Sequence, residues 1–314
     1  MLTKKRELIS FIIMFITIFA LSFSLSKTCF IYAGTSINGV TASVQDCIFN
    51  GKNQHPTVTL KKGKTVLKLN KDYKVVYKDN FFVGTGKAII TGKGKYTGTI
   101  TKTFKIKERK TVAHRNNGTL LREKNLTNNI LIIGDSRIVQ MHDYGYKASY
   151  VCIWGGHYYG NGNYDIRNRK YNNKTNKQII KEYINDIVKK HGSCKVVIES
   201  TINDYLGKGT DKYYQTRNKA LTDVINFATE ISGYNSKAKV YITSLIRAQE
   251  GFKSGKIVSG TVAEYNTDLK TRLSKNKKIT YLGITPAVIH YDNDKLHLKD
   301  DTLCVIYNVI KSAK

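Results

Sequence analysis

The chain has 314 residues, of which 41% are hydrophobic and 11% aromatic, and it contains only two prolines. This composition excludes a disordered chain and a proline-rich linker protein, and the length allows two domains. The formal net charge of +29 is spread along the chain and indicates a surface that attracts polyanions. The simpler interpretation is the ordinary solvated surface of a lysine-rich protein.

The first 33 residues are typical of a secretory signal. Lys4, Lys5 and Arg6 precede the apolar run Leu8–Leu25, and Ala33 is a small residue at the expected cleavage position. The run is nearly long enough to cross a bilayer, so an uncleaved N-terminal anchor is the alternative. Both interpretations predict that the remaining chain is secreted or lies at the cell surface, which makes nucleic acid the least expected partner.

The five cysteines are far apart in the sequence and form no closely spaced pair; they are Cys29, Cys47, Cys152, Cys194 and Cys304. Without a Cys-x-x-Cys pair, the sequence predicts no metal site, and it indicates no cofactor. Export would permit disulfides, but nothing in the spacing indicates a connectivity. We therefore expect buried free thiols.

Residues 35–107 are predicted to be all-β. Short runs rich in β-branched and aromatic residues, such as Tyr73–Tyr77 and Ile100–Ile106, alternate with glycine turns and indicate a small sandwich. The region resembles bacterial immunoglobulin-like surface repeats in the order of three short motifs, which are Asp72-Tyr73, Gly84-Thr85-Gly86 and Gly94-Lys95-Tyr96-Thr97-Gly98. The resemblance implies a spacer or wall-facing module without chemistry of its own.

Residues 108–129 are polar and read as a linker, and residues 130–314 then alternate between strand and helix patterns. Apolar helical stripes lie between the strand candidates, which are Ile130–Ile133, Tyr150–Ile153, Lys195–Ser200, Val240–Ser244 and Ile279–Leu282. Repeated β–α alternation predicts a mainly parallel sheet with helices on both faces.

Gly134-Asp135-Ser136 interrupts the first of these strands just before a helical pattern. Open α/β sheets bind ligands at the carboxyl ends of their strands, and a helix N-terminus offers free N–H groups. Ser136 is therefore a candidate functional residue, and an ordinary turn is the alternative.

A serine nucleophile needs a base that a third group orients. Asp294 precedes His297 by three residues on a turn that enters the last helix, from which its carboxylate can reach the imidazole. Chance spacing is the alternative, and His290 and Asp292 are weaker candidates for the base and its orienting group.

Two further segments follow predicted strands and could stabilise an oxyanion. Asn203 follows the third strand, and its side-chain amide can donate a hydrogen bond there. Gly155 or Gly156, after the second strand, could donate a backbone N–H. Taken singly, the asparagine is more typical of a helix cap and the glycines of a loop.

Taken together, the order Gly-Asp-Ser, glycine, Asn-Asp and Asp-x-x-His resembles the SGNH (GDSL-like) hydrolase family over about residues 128–314. The resemblance implies a flavodoxin-like three-layer α/β sandwich and ester hydrolysis through an acyl-enzyme. It implies that Ser136 is the nucleophile, that His297 is the base and later the acid, and that Asp294 orients His297. The oxyanion hole would combine the N–H of Ser136, a glycine N–H from Gly155 or Gly156, and the Asn203 side chain.

The chain departs from the family pattern at Arg137, where leucine is frequent, and at Thr201, where glycine is usual. We expect Arg137 at the surface, paired with an acid and in reach of substrate. Trp154, His157 and Tyr158 follow the second strand, and aromatic rings of this kind stack on sugars or simply pack a loop.

The sequence therefore predicts a secreted serine esterase that removes O-acyl groups, and O-acetyl groups in particular, from carbohydrate. An anionic cell-wall polymer is a further expected partner, and nucleic acid is not expected. A non-catalytic wall-binding surface protein and an O-acyltransferase with the same triad are the alternatives.

Overall fold

The structure is a computed structural model that describes residues 34–110, 121–152, 170–200, 217–249 and 259–314. The chain divides into two compact units. The described part of the first unit comprises residues 34–44, 57–78 and 87–103, and all other described residues belong to the second. The division runs through the region 35–107 that the sequence predicts as one module. Among the helices in these ranges, none combines the length and apolar character needed to span a bilayer.

Short strands make up residues 34–110. They are β1 (Thr35–Ser36), β2 (Thr41–Val44), β3 (Cys47–Ile48), β4 (Val58–Lys62), β5 (Thr65–Val66), β6 (Tyr73–Lys78), β7 (Gly84–Gly92), β8 (Tyr96–Thr97) and β9 (Thr99–Lys107). They form a three-stranded sheet in the order β2-β4-β5, a four-stranded sheet in the order β3-β9-β7-β6, and the pair β1-β8. The core of the first unit includes Ile37, Leu60 and Ile90, which are fully buried.

From residue 121 onward, strands and helices alternate. The strands are β10 (Arg122–Glu123), β11 (Ile130–Gly134), β12 (Ser149–Cys152), β13 (Lys170–Tyr171), β14 (Lys174–Thr175), β15 (Cys194–Ile198), β16 (Ala238–Thr243) and β17 (Ile279–Leu282). The helices are α1 (Ser136–Asp143), α2 (Asn176–His191), α3 (Arg217–Ser232), α4 (Ser259–Leu273) and α5 (Asp300–Ser312).

Six of these strands form one sheet in the order β10-β12-β11-β15-β16-β17. All neighbouring pairs are parallel except β10–β12. Numbered along the chain, the five parallel strands have the order 2-1-3-4-5, which is that of flavodoxin-like folds. The parallel α/β sheet predicted from the sequence is therefore present, and the strand order reverses beside β11.

Both faces of this sheet are covered, which explains why its strands are apolar at consecutive positions. Leu131 and Ile133 of β11 belong to a core cluster that also contains residues of α2, α3 and α4. Ile130 and Ile132 belong to a second cluster with residues of α1 and α5. Because successive strand residues point to opposite faces, the two clusters make the three layers of the fold.

The residues predicted as a linker are partly built into the second unit. Leu121 is buried, and β10 pairs antiparallel with β12 at the sheet edge. Glu108 forms an ion pair with Lys299, and the Arg109 guanidinium donates to the buried Asp300. These two contacts join residues 108 and 109 of the predicted linker to positions 191 residues away in the chain.

Candidate active site

The predicted nucleophile lies at the point where β11 becomes α1. Asp135 caps the helix, because its carboxylate accepts the N–H of Arg137 at 3.1 Å. Ser136 is then the first helical residue, and its backbone N–H is among those that the helix leaves unpaired. Since β11 lies where the strand order reverses, Ser136 is at the edge of the sheet where such folds bind ligands.

Gly134 is required by close packing rather than by an unusual backbone angle. A Cβ atom at this position would lie 2.5 Å from Oε2 of Glu199 and 2.7 Å from a methyl carbon of Ile138. Any side chain would therefore push the strand away from α1 and from Glu199. Because Gly134 has no side chain, Glu199 and Ile138 can pack directly against the backbone at this position.

Ser136, His297 and Asp294 form a continuous hydrogen-bonded chain. Nε2 of His297 lies 2.8 Å from Oγ of Ser136, and Nδ1 of His297 is hydrogen-bonded to Oδ2 of Asp294. The other carboxylate oxygen of Asp294 accepts the N–H groups of Leu296 and His297, each at 2.9 Å. Lys295 adopts a left-handed φ of 63°, which closes this tight turn.

The Asp294 carboxyl is held in its ionised form. Burial is the largest single influence and raises its pKa, but hydrogen bonds from the His297 ring and from the N–H groups of Leu296 and His297 outweigh it. The pKa of Asp294 therefore lies below its usual value. A carboxylate can only accept a hydrogen bond, so Nδ1 of His297 carries the proton and Nε2 can accept one from Ser136.

The weaker candidates for the base and its orienting group are engaged elsewhere. Nδ1 of His290 is hydrogen-bonded to Oδ2 of Asp301 at 2.7 Å. Asp292 accepts a hydrogen bond from the Gln140 side chain at 3.0 Å. Neither group is hydrogen-bonded to Ser136 within the described residues, so the geometry favours Asp294 and His297.

Arg137 does not lie at the surface, and the expectation that it pairs there with an acid is wrong. Its side chain is only 2% exposed, and its guanidinium donates to the carbonyl oxygens of Ile246 at 2.9 Å and Leu296 at 3.1 Å. Leu296 directly precedes His297. Arg137 therefore links the helix that begins with Ser136 to the histidine segment, which we define as residues 292–298.

Gln140 contacts the histidine segment a second time. Its side-chain N–H donates to Asp292, and its side-chain oxygen accepts the N–H of Leu298 at 3.1 Å. Residues three apart lie on one face of a helix, so Arg137 and Gln140 together hold this segment against α1. Neither role was predicted from the sequence, because the burial of Arg137 and Gln140 is visible only in the structure.

Glu199 lies behind the same turn, at the carboxyl end of β15. Its Oε2 atom is buried beside Gly134, and the Asp135 backbone donates a hydrogen bond to its carboxyl. Burial, followed by the negative charge of Asp135, raises the pKa of Glu199 to about 8, against an opposing effect of Arg137. The carboxyl is therefore largely protonated at neutral pH.

This raised pKa predicts that Glu199→Gln weakens the pH dependence of stability. The folded chain keeps the Glu199 proton between pH 4.5, the usual pKa, and about 8, where the unfolded chain has lost it. The free energy of unfolding of the wild type therefore falls as the pH rises through this window. Glutamine cannot titrate, so the variant should lose less stability across it.

Urea denaturation of both proteins at several pH values between 5 and 8 measures this difference. Glu264→Gln, which changes an exposed glutamate of α4, is the matched control and should behave as the wild type does. Equal slopes of stability against pH in the wild type and Glu199→Gln would refute the assignment of the proton to Glu199.

The remaining predicted site residues lie outside the described residues. They are the oxyanion candidates Gly155, Gly156 and Asn203, together with Trp154, His157 and Tyr158. Their roles stay predictions.

No group of three or more histidine, cysteine, aspartate or glutamate side chains is placed to hold a metal ion in the parts of the chain that the structure covers. The four cysteines in those parts carry free thiols. Cys152, Cys194 and Cys304 are buried, as expected, whereas Cys47 is partly exposed.

No protein-family model matches the sequence, and no curated protein matches it. Several solved structures are similar. A carbohydrate esterase family 2 enzyme with a carbohydrate binding domain, from Corynascus thermopiles (Myceliophthora fergusii), is 13% identical, with a TM-score of 0.41 over 88% of each chain. A GDSL-like lipase from Bacteroides thetaiotaomicron is 16% identical, with a TM-score of 0.38 over 58% of this chain and 85% of its own.

A family two carbohydrate esterase from Clostridium thermocellum, solved in complex with cellohexaose, is 13% identical. Its TM-score is 0.34, over 76% of this chain and 84% of its own. Likenesses at these TM-scores are too weak to assign an activity. The function of this chain has to be inferred from the geometry of its own site.

Proposed function

We propose that this chain is a serine esterase that hydrolyses O-acyl esters through an acyl-enzyme on Ser136. The observation that carries the proposal is the hydrogen-bonded chain from Asp294 through His297 to Ser136 at the ligand-binding edge of the sheet. A serine, an imidazole base and an orienting carboxylate in this relation are the elements of a nucleophilic triad.

In the first half-reaction, Nε2 of His297 takes the proton of Ser136 as Oγ attacks the ester carbonyl carbon. The tetrahedral intermediate collapses when its bond to the alcohol oxygen breaks, and His297 gives the proton to that oxygen. Asp294 keeps the imidazole in the required tautomer and stabilises the imidazolium that forms. In the second half-reaction, His297 deprotonates a water that attacks the acyl carbon. The bond between that carbon and Oγ of Ser136 then breaks, His297 returns the proton to Oγ, and the carboxylic acid leaves.

The negative charge on the carbonyl oxygen needs donors that are already oriented. The N–H of Ser136 is one, because it belongs to the first turn of α1, where the helix dipole favours negative charge. The Asn203 side chain and the N–H of Gly155 or Gly156 complete the oxyanion hole in this proposal.

The proposed substrate is carbohydrate that carries O-acyl groups, O-acetyl in particular, outside the cytoplasm. The leader predicted over residues 1–33 supports export, and the aromatic residues after β12 support contact with sugar rings. We propose a secreted or cell-surface location on the same ground.

A fluorophosphonate ester tests the nucleophile directly, because it phosphonylates an activated serine and resists turnover. The full chain should gain one adduct, which peptide mass mapping should place on Ser136, and should lose its hydrolysis of aryl acetate in parallel. An unlabelled Ser136, or an adduct on another serine with the same loss of activity, would overturn the proposal.

The charge of the first unit supports a second candidate function, binding to an anionic wall polymer. Its described residues include eleven lysines, no arginine and a single acidic residue, Asp72, which accepts the N–H of Lys68. Lys78 lies directly opposite Lys87 in the β6–β7 pair, so two of these lysines are neighbours. Lysine carries a compact charge without the planar fork of arginine, so it suits attraction to repeated phosphates more than recognition of one shape.

We therefore expect that replacing Lys74, Lys78 and Lys87 by glutamine weakens retention on purified, teichoic-acid-bearing cell wall. The bound fraction of the wild type should fall as salt rises from about 0.05 to 0.5 M, because salt screens charges at an exposed surface. The variant should be released at lower salt. The control replaces Lys275, Lys277 and Lys278, exposed residues after α4, and should elute with the wild type. Identical elution of the two variants would contradict this role for the first unit.

A further inference from the structure

A cavity of about 420 Å³ lies beside the histidine segment, and all of its lining residues belong to the second unit. Phe81 and Phe82 contribute apolar ring surface, while Asp79, Asn80 and His290 contribute polar groups. The volume is within the range of sites for small molecules, which also combine apolar walls with a few polar groups.

The imidazole of His290 is held in one orientation. Its Nδ1 is hydrogen-bonded at 2.7 Å to Asp301, whose side chain is fully buried, and its ring makes an edge contact with Phe82. The Asp301 carboxylate also accepts the N–H of Val83 at 2.8 Å. Because Nδ1 faces a carboxylate, Nε2 is left as a hydrogen-bond acceptor for a ligand.

The cavity lies on the same side of the chain as the proposed catalytic histidine. Tyr291 and Leu298 form an antiparallel bridge, and the Leu298 side chain is buried in the core. The residues on either side of this bridge point the opposite way, so His290 and His297 share one face. Asp292 lies opposite His297 in this pairing, since its N–H donates to the His297 carbonyl oxygen. His290 precedes Asp292 by two residues, which corresponds to about 7 Å along an extended backbone.

The loop that forms the far wall is built before a ligand arrives. Asp79 has a left-handed φ of 53°, a conformation that aspartate and asparagine adopt more readily than most residues. Asn80 is bound to Gln54 by two hydrogen bonds, one at 2.8 Å from its side chain and one at 2.7 Å to its carbonyl oxygen. A wall that these hydrogen bonds hold in place lowers the entropy cost of binding.

We propose that this cavity is a subsite for one sugar ring of the acylated carbohydrate, next to the ring that carries the ester. The phenylalanines offer apolar surface to the C–H face of a sugar, and Asn80 and His290 can accept its hydroxyl hydrogens. The inference rests on the proposed esterase function for its choice of ligand.

The test compares a small ester with an oligosaccharide ester in wild type and Phe82→Ala. Vinyl acetate has no sugar ring to place in the cavity, whereas an O-acetylated chain of four glucose or N-acetylglucosamine units offers rings beyond the one that carries the ester. Phe82→Ala should lower kcat/KM for the oligosaccharide about tenfold through KM, and should leave vinyl acetate turnover within about twofold. Val76→Ala, an exposed apolar change on β6, is the control and should alter neither. An equal loss on both substrates, or none, would overturn the subsite.

A binding measurement keeps this proposal separate from the esterase proposal. Calorimetric titration of the unacetylated tetrasaccharides should detect millimolar binding to the wild type and to Ser136→Ala, and little to Phe82→Ala. Absence of binding up to about 10 mM, or binding that Phe82→Ala leaves unchanged, overturns the subsite whatever the esterase result. Binding without any vinyl acetate turnover would instead support the subsite and overturn the proposed function.

Discussion

Ser136→Ala is expected to lower the rate of aryl acetate hydrolysis by about 10⁴-fold or more. The Oγ atom that forms the acyl-enzyme is lost, whereas His297, Asp294 and the oxyanion donors remain. Ester hydrolysis would then depend on an unpositioned water and on the residual oxyanion stabilisation. The fold should be unchanged, because Ser136 begins α1 while the capping side chain is that of Asp135.

Steady-state rates of the full chain and the variant, with circular dichroism spectra to compare their folds, measure this effect. Ser274→Ala, which changes an exposed serine after α4, is the matched control and should keep the full rate. Comparable hydrolysis by the wild type and Ser136→Ala would show that this serine is not the nucleophile, and any activity would then belong to another site.

Arg137→Met is expected to lower kcat by about 10²-fold while KM changes little. The variant keeps most of the side-chain volume but removes the donors that hold the carbonyl oxygens of Ile246 and Leu296. Leu296 adjoins His297, so losing this contact should loosen the imidazole relative to Ser136. The substrate is bound elsewhere in the proposed site, which is why the loss should fall on kcat.

The variant should also be destabilised, by about 1–3 kcal/mol for each buried carbonyl left without a donor. Rates must therefore be measured well below its unfolding temperature. Arg137→Lys should recover part of kcat, because lysine can donate to one of the two carbonyl groups. Arg272→Met removes an exposed arginine from α4 and is the control. A destabilised Arg137→Met with wild-type kcat would limit Arg137 to a purely structural role.

The positions of strands β6 and β9 could be predicted from the residues of each strand alone. Period-two alternation predicted β6 as Tyr73–Tyr77 and β9 as Ile100–Ile106, each within one residue at either end of the observed strand. Alternation reports which residues face a core, but the end of a strand depends on whether its neighbour still offers hydrogen bonds.

The amino-acid sequence by itself determined the parallel α/β sheet, the turn that carries Ser136, and the short-range pair of Asp294 and His297. These features depend on backbone periodicity and on contacts between residues that are neighbours in the chain. Only the tertiary structure decided that His297 lies against Ser136, 161 residues away. It also decided that Arg137 points inward, that Glu199 packs on Gly134, and that the loop carrying Phe82 meets His290. Strand order and the meeting of distant loops set these contacts, and no local pattern encodes them.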